Sequence, residues 1–401
     1  MKKMNAKQIG GILMITGNAI GGGMLALPLA TAQAGFINST LFLIVCWALM
    51  LAGALLILEV NLWFPANSHL VSMARATLGR AGELITWLCY LLLLYSLLAA
   101  YIAGGSDFLQ GLLQKTNLHF SLKTTAVLFV FGLGIIVYKG IRSVDTFNRA
   151  LMGGKLLIYI VLILLIFPFL SSKELSQGQL YYIPKSLTIM VTSFGFAAIV
   201  PSLRTYFHGD VRKLRSVIFF GSLIPLVCYI LWNASIMGII PIDGNLGLAH
   251  IAQANQPTSE LANRLSELLN KKIITELTWG FTSICLATSF LGVGLSLADF
   301  LKDGLKLNET KQGNNITALL TFLPPLVIVL FFPGAFMSAL NYAGIWCASL
   351  LALLPALMAW SGRYNQQFTF PYRVAGGKIL LGLVIIAASI IIAHAFFSLL
   401  K

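Results

Sequence analysis

The sequence predicts an all-α polytopic membrane protein: eleven transmembrane helices in a five-plus-five inverted repeat whose first and sixth helices are broken. Three observations carry that prediction. Hydrophobic residues make up 58% of the 401 and charged residues 10%, against roughly a quarter charged in soluble domains. Mean hydropathy is +0.87, more apolar surface than a water-soluble chain of this length can hide, so lipid is the expected solvent. Apolar runs of about 17–25 residues recur eleven times. Two of those runs, half a chain apart, carry residues that loosen a helix.

The eleven runs lie at about 8–33, 38–62, 84–110, 122–138, 150–170, 187–206, 217–240, 274–300, 317–332, 335–360 and 378–397. Prolines 28, 201, 225, 324, 325, 333 and 355 fall inside or at the ends of these runs, which membrane helices tolerate better than soluble ones. One transmembrane domain, 1–401, is expected, with helices 1–5 in 1–170, helices 6–10 in 187–360 and the last at 378–397. Lys2, Lys3 and Lys7 precede the first run, and Ala30-Thr31-Ala32-Gln33-Ala34 resembles a cleavage site. The interrupted apolar core and the ten runs that follow argue against a removable leader.

Counting lysine and arginine in alternate loops sets the orientation. With the N-terminus inside, eighteen fall on the cytoplasmic side: Lys2, Lys3, Lys7, Arg75, Arg80, Lys139, Arg142, Arg149, Arg204, Arg212, Lys213, Arg215, Lys302, Lys306, Lys311, Arg363, Arg373 and Lys378. Eight fall outside (Lys115, Lys123, Lys173, Lys185, Arg264, Lys271, Lys272, Lys401), and Lys155 remains inside a helix. The expected topology is N-terminus cytoplasmic and C-terminus periplasmic. The net charge of +14 is spread among loops, so it reads as membrane topology and not as a nucleic-acid surface. In the external loop at 241–273, Leu261, Leu265, Leu268 and Leu269 recur at helical spacing, predicting a short amphipathic helix over the outer mouth.

The first interruption is Gly17-Asn18-Ala19-Ile20-Gly21-Gly22-Gly23, midway along run one. Three successive glycines beside an asparagine loosen the backbone where water cannot satisfy it. The second is Thr192-Ser193-Phe194-Gly195-Phe196-Ala197-Ala198-Ile199-Val200-Pro201-Ser202 in run six. At 1.5 Å per residue, each break lies roughly 15 Å from its entry face, near the midplane. Run one crosses outward and run six inward, so the two breaks head two halves of opposite topology. Short interrupted segments at corresponding positions point to a transporter's binding site.

Gly17 to Pro28, Ser193-Phe194-Gly195-Phe196 and Ala287-Thr288-Ser289-Phe290-Leu291-Gly292 resemble the hydroxy/aromatic amino acid permease family, within the amino acid–polyamine–organocation superfamily. The likeness runs along the whole chain in length, span number and motif order. It implies the five-plus-five fold, the inner membrane and proton-coupled import of an aromatic amino acid. In one departure, Ala197 stands where aromatic members carry His after Phe-Gly-Phe.

An amino acid zwitterion needs partners for a carboxylate and an ammonium. The N–H groups of Gly21, Gly22, Gly23 and Met24 open the outer half of run one and suit the carboxylate. The C=O groups around Gly17 to Ala19, Ile20, Ser193 and Phe194 suit the ammonium. Aromatic wall candidates are Phe194, Phe196, Tyr95 and Tyr101, with Asn18 and Ser193 as polar ones and Gly195 and Ala197 completing the second break. Each aromatic pair is worth about 0.5–1.5 kcal/mol. Lys155 lies roughly 9 Å past Arg149. It either snorkels to the cytoplasmic face or sets its ammonium among the C=O groups of Gly17 and Ile20 and the hydroxyls of Thr288 and Ser289. In sodium-coupled relatives of the superfamily that place holds a sodium ion, and in relatives with a Gly-Lys-Leu-Leu context the lysine charge replaces it. A lysine held there can give up and regain a proton, which would couple transport to the proton gradient.

Glu59, Asp107 and Asp299 lie near span ends, where pairing with lysine or arginine is expected. Glu59 is the best of them as an auxiliary proton site. The five cysteines, 46, 89, 228, 285 and 347, lie in apolar runs and read as core residues. The histidines at 69, 119, 208, 250 and 394 have no ligand spacing. No metal, cofactor or enzymatic chemistry is expected, because no nucleophile–base pair, phosphate loop or soluble catalytic domain appears. A channel is disfavoured by the lack of a filter motif. A sodium-coupled carrier, or one selective for tryptophan or for serine and threonine, stays open. The expected partners are an aromatic amino acid, protons and the lipid bilayer.

Overall fold

A computed structural model describes residues 6–66, 68–308, 310–332, 334–369 and 372–399. Lys2, Lys3 and Lys401 of the charge count and Pro333 lie outside the described residues. The described residues form helices joined by short loops, with no strand among them.

The principal helices are α1 (Ala6–Ala19), α2 (Gly22–Thr31), α3 (Phe36–Leu62), α4 (Leu70–Lys115), α5 (Leu122–Tyr138) and α6 (Ile141–Ile166). They continue as α7 (Leu187–Ser193), α8 (Val200–Tyr206), α9 (Val211–Met237), α10 (Pro257–Leu269) and α11 (Lys272–Gly304). The chain ends with α12 (Lys311–Phe331), α13 (Ala335–Ala348), α14 (Leu354–Trp360) and α15 (Gly377–Leu399). Every expected run is helical. Among the described residues, nine helices are long and apolar enough to cross a membrane, and α1 with α2 makes a tenth, bent by 53°. The remaining run, α5, is a shorter apolar helix of 17 residues, so the expected count of eleven crossings rests on that helix.

The outside of the bundle carries many large apolar side chains. Phe131, Leu157, Leu164, Ile379 and Leu383 are each more than 60% exposed, the pattern of a surface meeting lipid and not water. Helix α4 begins on the cytoplasmic side of the expected topology and kinks at Gly79, where φ is 75°. Its long body packs on α13 and α11. The interrupted segments sit at the centre: α1 packs against α9, and α2 packs against both α7 and α9.

Buried polar clasps tie helix ends together. Arg363 grips the Glu59 carboxylate with two hydrogen bonds of 2.7 and 2.6 Å, and the Val374 N–H donates to the same carboxylate at 2.6 Å. Arg204 on α8 donates to the carbonyls of Asn61 and Phe64 at the end of α3, where helix carbonyls have no partner of their own. At the opposite end, Asp107 accepts from the backbone N–H groups of Thr258 and Ser259, at 2.9 and 3.2 Å, and from both hydroxyls. The carboxylate thus caps the N-terminus of α10 from another helix. This corrects the expected pairing of Asp107 with a basic side chain.

The predicted amphipathic helix is α10, with Leu261, Leu265 and Leu269 buried at four-residue spacing. Leu268 falls off that stripe and is exposed. The five cysteines are free and buried.

Candidate functional site

Helix α1 ends at Ala19 and α2 begins at Gly22, leaving Ile20 and Gly21 between them. Gly21 is extended, at φ −162° and ψ −150°, so the chain leaves one helix and restarts another on a new axis. Close approach explains why glycine stands here. A Cβ on Gly21 would lie 2.3 Å from Ser289 Oγ on α11, and one on Gly22 would lie 2.5 Å from the Tyr101 ring on α4. The Ser289 hydroxyl accepts from the Gly22 N–H at 2.9 Å. Met24 is fully buried, and its N–H donates back to the Gly21 carbonyl at 3.1 Å.

The second interruption is milder. Phe194 departs from helical geometry, at φ −100° and ψ 29°, and Gly195–Ile199 form a 3-10 turn before α8 resumes. Run six therefore remains one span, Leu180–Tyr206. Pro201 lies within the first two residues of α8, where proline starts a helix instead of breaking it. Gly23 nonetheless lies close to Ser193, 3.4 Å from Oγ to its would-be Cβ, so the two interruptions meet. Phe194, Phe196 and Ala197 are fully buried. The Ser193 hydroxyl is turned to the Ile189 carbonyl of its own helix, at 2.9 Å.

Two donors reach the broken ends from neighbouring helices. Lys155 on α6 is 1% exposed, and its Nζ donates to the Ile20 carbonyl at 2.6 Å, with Thr288 Oγ1 at 3.5 Å. Among the described residues it has no carboxylate within ion-pair distance. The lysine does not snorkel: Lys155, Tyr159, Leu162 and Ile166 share the buried face of α6. Of the four groups expected around its ammonium, Ile20 and Thr288 are found there. The Ser289 hydroxyl serves the Gly22 N–H instead, and Gly17 packs its Cα face against the Met152 side chain.

The second donor, Tyr229 on α9, was not anticipated. Its side chain is fully buried. Its hydroxyl lies 2.7 Å from the Ala19 carbonyl and 2.7 Å from the Ser193 carbonyl, which are the last residues of α1 and α7. Its ring lies against Phe194, with centroids 5.1 Å apart. A sequence signal did exist. A tyrosine in mid-span must find an acceptor for its hydroxyl, and backbone carbonyls freed at a break supply one. Tyr159 obeys the same rule, donating to the Cys228 carbonyl at 2.8 Å.

Four sequence candidates lie elsewhere. Tyr95 donates to the Leu320 carbonyl at 2.8 Å, so it ties α4 to α12 and does not line the breaks. Asn18 is exposed, apart from the buried cluster. Glu59 is locked to Arg363 by a bidentate, buried ion pair, the pairing with a basic side chain expected of it near a span end. Asp299 is exposed. Among the described residues no group of three or more His, Cys, Asp or Glu could hold a metal ion.

The model of the tryptophan/tyrosine permease family matches residues 4–395. A tyrosine-specific transport system 2 of Haemophilus influenzae is 35% identical over 394 residues, covering 97% of this chain and 96% of the relative. A tryptophan-specific transport protein of the same organism is 34% identical over 397 residues, covering 94% and 93%. Among solved structures, MhsT in complex with L-phenylalanine superposes with a TM-score of 0.67 over 99% of this chain and 100% of that one, at 15% identity. That likeness confirms the expected fold, an all-helical transporter bundle with interrupted central helices. With the match spanning nearly the whole sequence, the chain belongs to the tryptophan/tyrosine permease family, and it is an amino acid transport protein of the membrane, not an enzyme.

Proposed function

We propose that this permease imports an aromatic amino acid, L-tyrosine first among them, across the bacterial inner membrane by proton symport with alternating access. The N-terminus lies in the cytoplasm and the C-terminus in the periplasm. The observation that carries the reading is the buried Lys155 ammonium on the Ile20 carbonyl, inside the first break. A desolvated lysine without a carboxylate partner is costly in a membrane, and a proton-coupled cycle gives it a use. Its charge already serves the carbonyl that a sodium ion would need.

The substrate carboxylate docks at the start of α2, where the helix dipole and the N–H groups around Gly21 to Gly23 favour an anion. The ammonium meets the carbonyls that end α1 and α7. The side chain lies among Tyr101, Phe194 and Phe196, where each ring contact adds about 0.5–1.5 kcal/mol. Tryptophan is the second reading, favoured by a tryptophan-specific relative nearly as similar as the tyrosine-specific one.

Reconstituted vesicles test this directly. Labelled tyrosine should accumulate under an inward proton gradient without sodium, and unlabelled tyrosine should compete better than tryptophan or serine. Lys155→Met should abolish gradient-driven accumulation while leaving counterflow exchange measurable. Full accumulation by that variant, or a strict sodium requirement, would remove the proton role.

A further inference from the structure

Tyr229 places one hydroxyl oxygen 2.7 Å from two carbonyl oxygens, those of Ala19 and Ser193. A phenol has one proton to donate, so it satisfies one of these carbonyls at a time. Both acceptors end helices, where carbonyls lack partners and the helix dipole is negative. Two such ends converging on one point demand more donors than a hydroxyl supplies. An ammonium, with three donors and a positive charge, meets that demand.

We infer that Tyr229 is a built-in stand-in for the substrate's ammonium: its hydroxyl bridges the two broken helices when the site is empty and yields the Ala19 and Ser193 carbonyls when an amino acid arrives. This deepens the reading above and rests on it, because it takes those two carbonyls as the ammonium's seat. The bridge gives the empty carrier a reason to stay assembled. Without a donor between them, two helix C-termini would face each other across a buried, water-poor gap, at a cost per unpaired group that favours collapse or opening. The ring is held against Phe194, and Tyr159 from α6 holds the adjacent Cys228 carbonyl. The hydroxyl is therefore positioned from both sides and does not wander into place. It also makes selection for a free α-amino group local: a ligand lacking the ammonium cannot offer what the tyrosine gives up.

The experiment compares L-tyrosine with its deaminated analogue, 3-(4-hydroxyphenyl)propionate, on purified full-length protein. Removing the hydroxyl with Tyr229→Phe removes a competitor, so tyrosine should bind about two- to tenfold more tightly, the range one neutral hydrogen bond allows. Binding of the deaminated analogue should stay within about twofold. Weaker tyrosine binding by the variant, or an equal gain for both ligands, would overturn the inference, because it would mean the hydroxyl works with the substrate or only supports the fold. If the variant does not fold, 3-fluorotyrosine placed at 229 alone reports the same event by fluorine NMR. The resonance should shift on adding tyrosine and stay put with the deaminated analogue; no shift with tyrosine, despite measured binding, would overturn it. Failure of the unmodified protein to bind any aromatic amino acid would instead defeat the functional reading above.

Discussion

Lys155 and Glu59 are both buried and charged, yet burial means opposite things for them. Lys155 donates to a backbone carbonyl and has no acidic partner among the described residues. Glu59 has its charge matched by Arg363, and both side chains are no more than 2% exposed. A matched pair is costly to break and poorly suited to exchanging protons in each cycle. Glu59→Gln should therefore act on stability. It leaves the guanidinium unpaired, costing about 3–5 kcal/mol, readable as a large fall in the thermal unfolding temperature in detergent. The pH profile of uptake, normalised to surviving protein, should stay as in the unmodified chain. A displaced profile would restore Glu59 to the proton path. The sequence placed both charges in membrane helices but could not separate them, because Arg363 lies 304 positions from Glu59.

At the scale of elements, the two interruptions differ because their sequences differ. Three consecutive glycines let the first turn by 53°, whereas Gly195 alone, flanked by buried Phe194 and Phe196, gives only a 3-10 turn. The second interruption is kept in place by close backbone packing from α13. A Cβ on Gly344 would lie 2.3 Å from the Thr188 carbonyl oxygen, and the Thr188 hydroxyl is 2.7 Å from Asn341. A backbone atom cannot swing aside as a side chain can. Gly344→Ala should push α13 off α7 and destabilise by about 1–3 kcal/mol. Tyrosine uptake should fall more than ten times while membrane insertion persists, as measured by uptake per molecule of detected protein. Unchanged uptake would show that the contact is looser than the structure has it. The Gly17-Asn18-Ala19-Ile20-Gly21-Gly22-Gly23 run was legible as a break from sequence, since consecutive glycines loosen a helix in lipid. Gly344 looks like any other glycine until the opposing helix is in view.

Across the whole molecule, the clasps lie at the two ends of the bundle, where the proposed alternating access would open and close. One end holds Glu59–Arg363 and the Arg204 cap; at the other, Asp107 holds α10, and the Lys115 ammonium of α4 lies 3.6 Å from the Trp279 ring centroid of α11. Leu261, Ala262 and Leu265 of α10 close a small cavity lined also by Leu25 of α2, Trp232, Ile236, Thr278 and Thr282. In the proposed cycle, α10 would lift when that end opens. Asp107→Ala removes the acceptor for four donors, so it should open that end of the carrier, the outer one on the proposed topology. With the native cysteines replaced, a cysteine at Thr278 should then react several times faster with a membrane-impermeant thiol reagent added to intact cells. Equal rates with and without Asp107 would mean that the clasp does not guard this end.

Composition and periodicity by themselves determined that the chain is helical, where its helices lie and which two are interrupted, though not that the second interruption is only a 3-10 turn, because lipid obliges every backbone group to find a partner nearby in sequence. They also singled out Lys155, since a lone cation in an apolar helix has few explanations. Only the tertiary structure decided the partners: that Tyr229 and not open space faces the freed carbonyls, that Tyr95 serves α12, and that Asp107 caps a helix about 150 residues away. Those outcomes depend on which helices become neighbours. Neighbourhood follows from the packing of whole helical surfaces, which no local pattern of residues encodes.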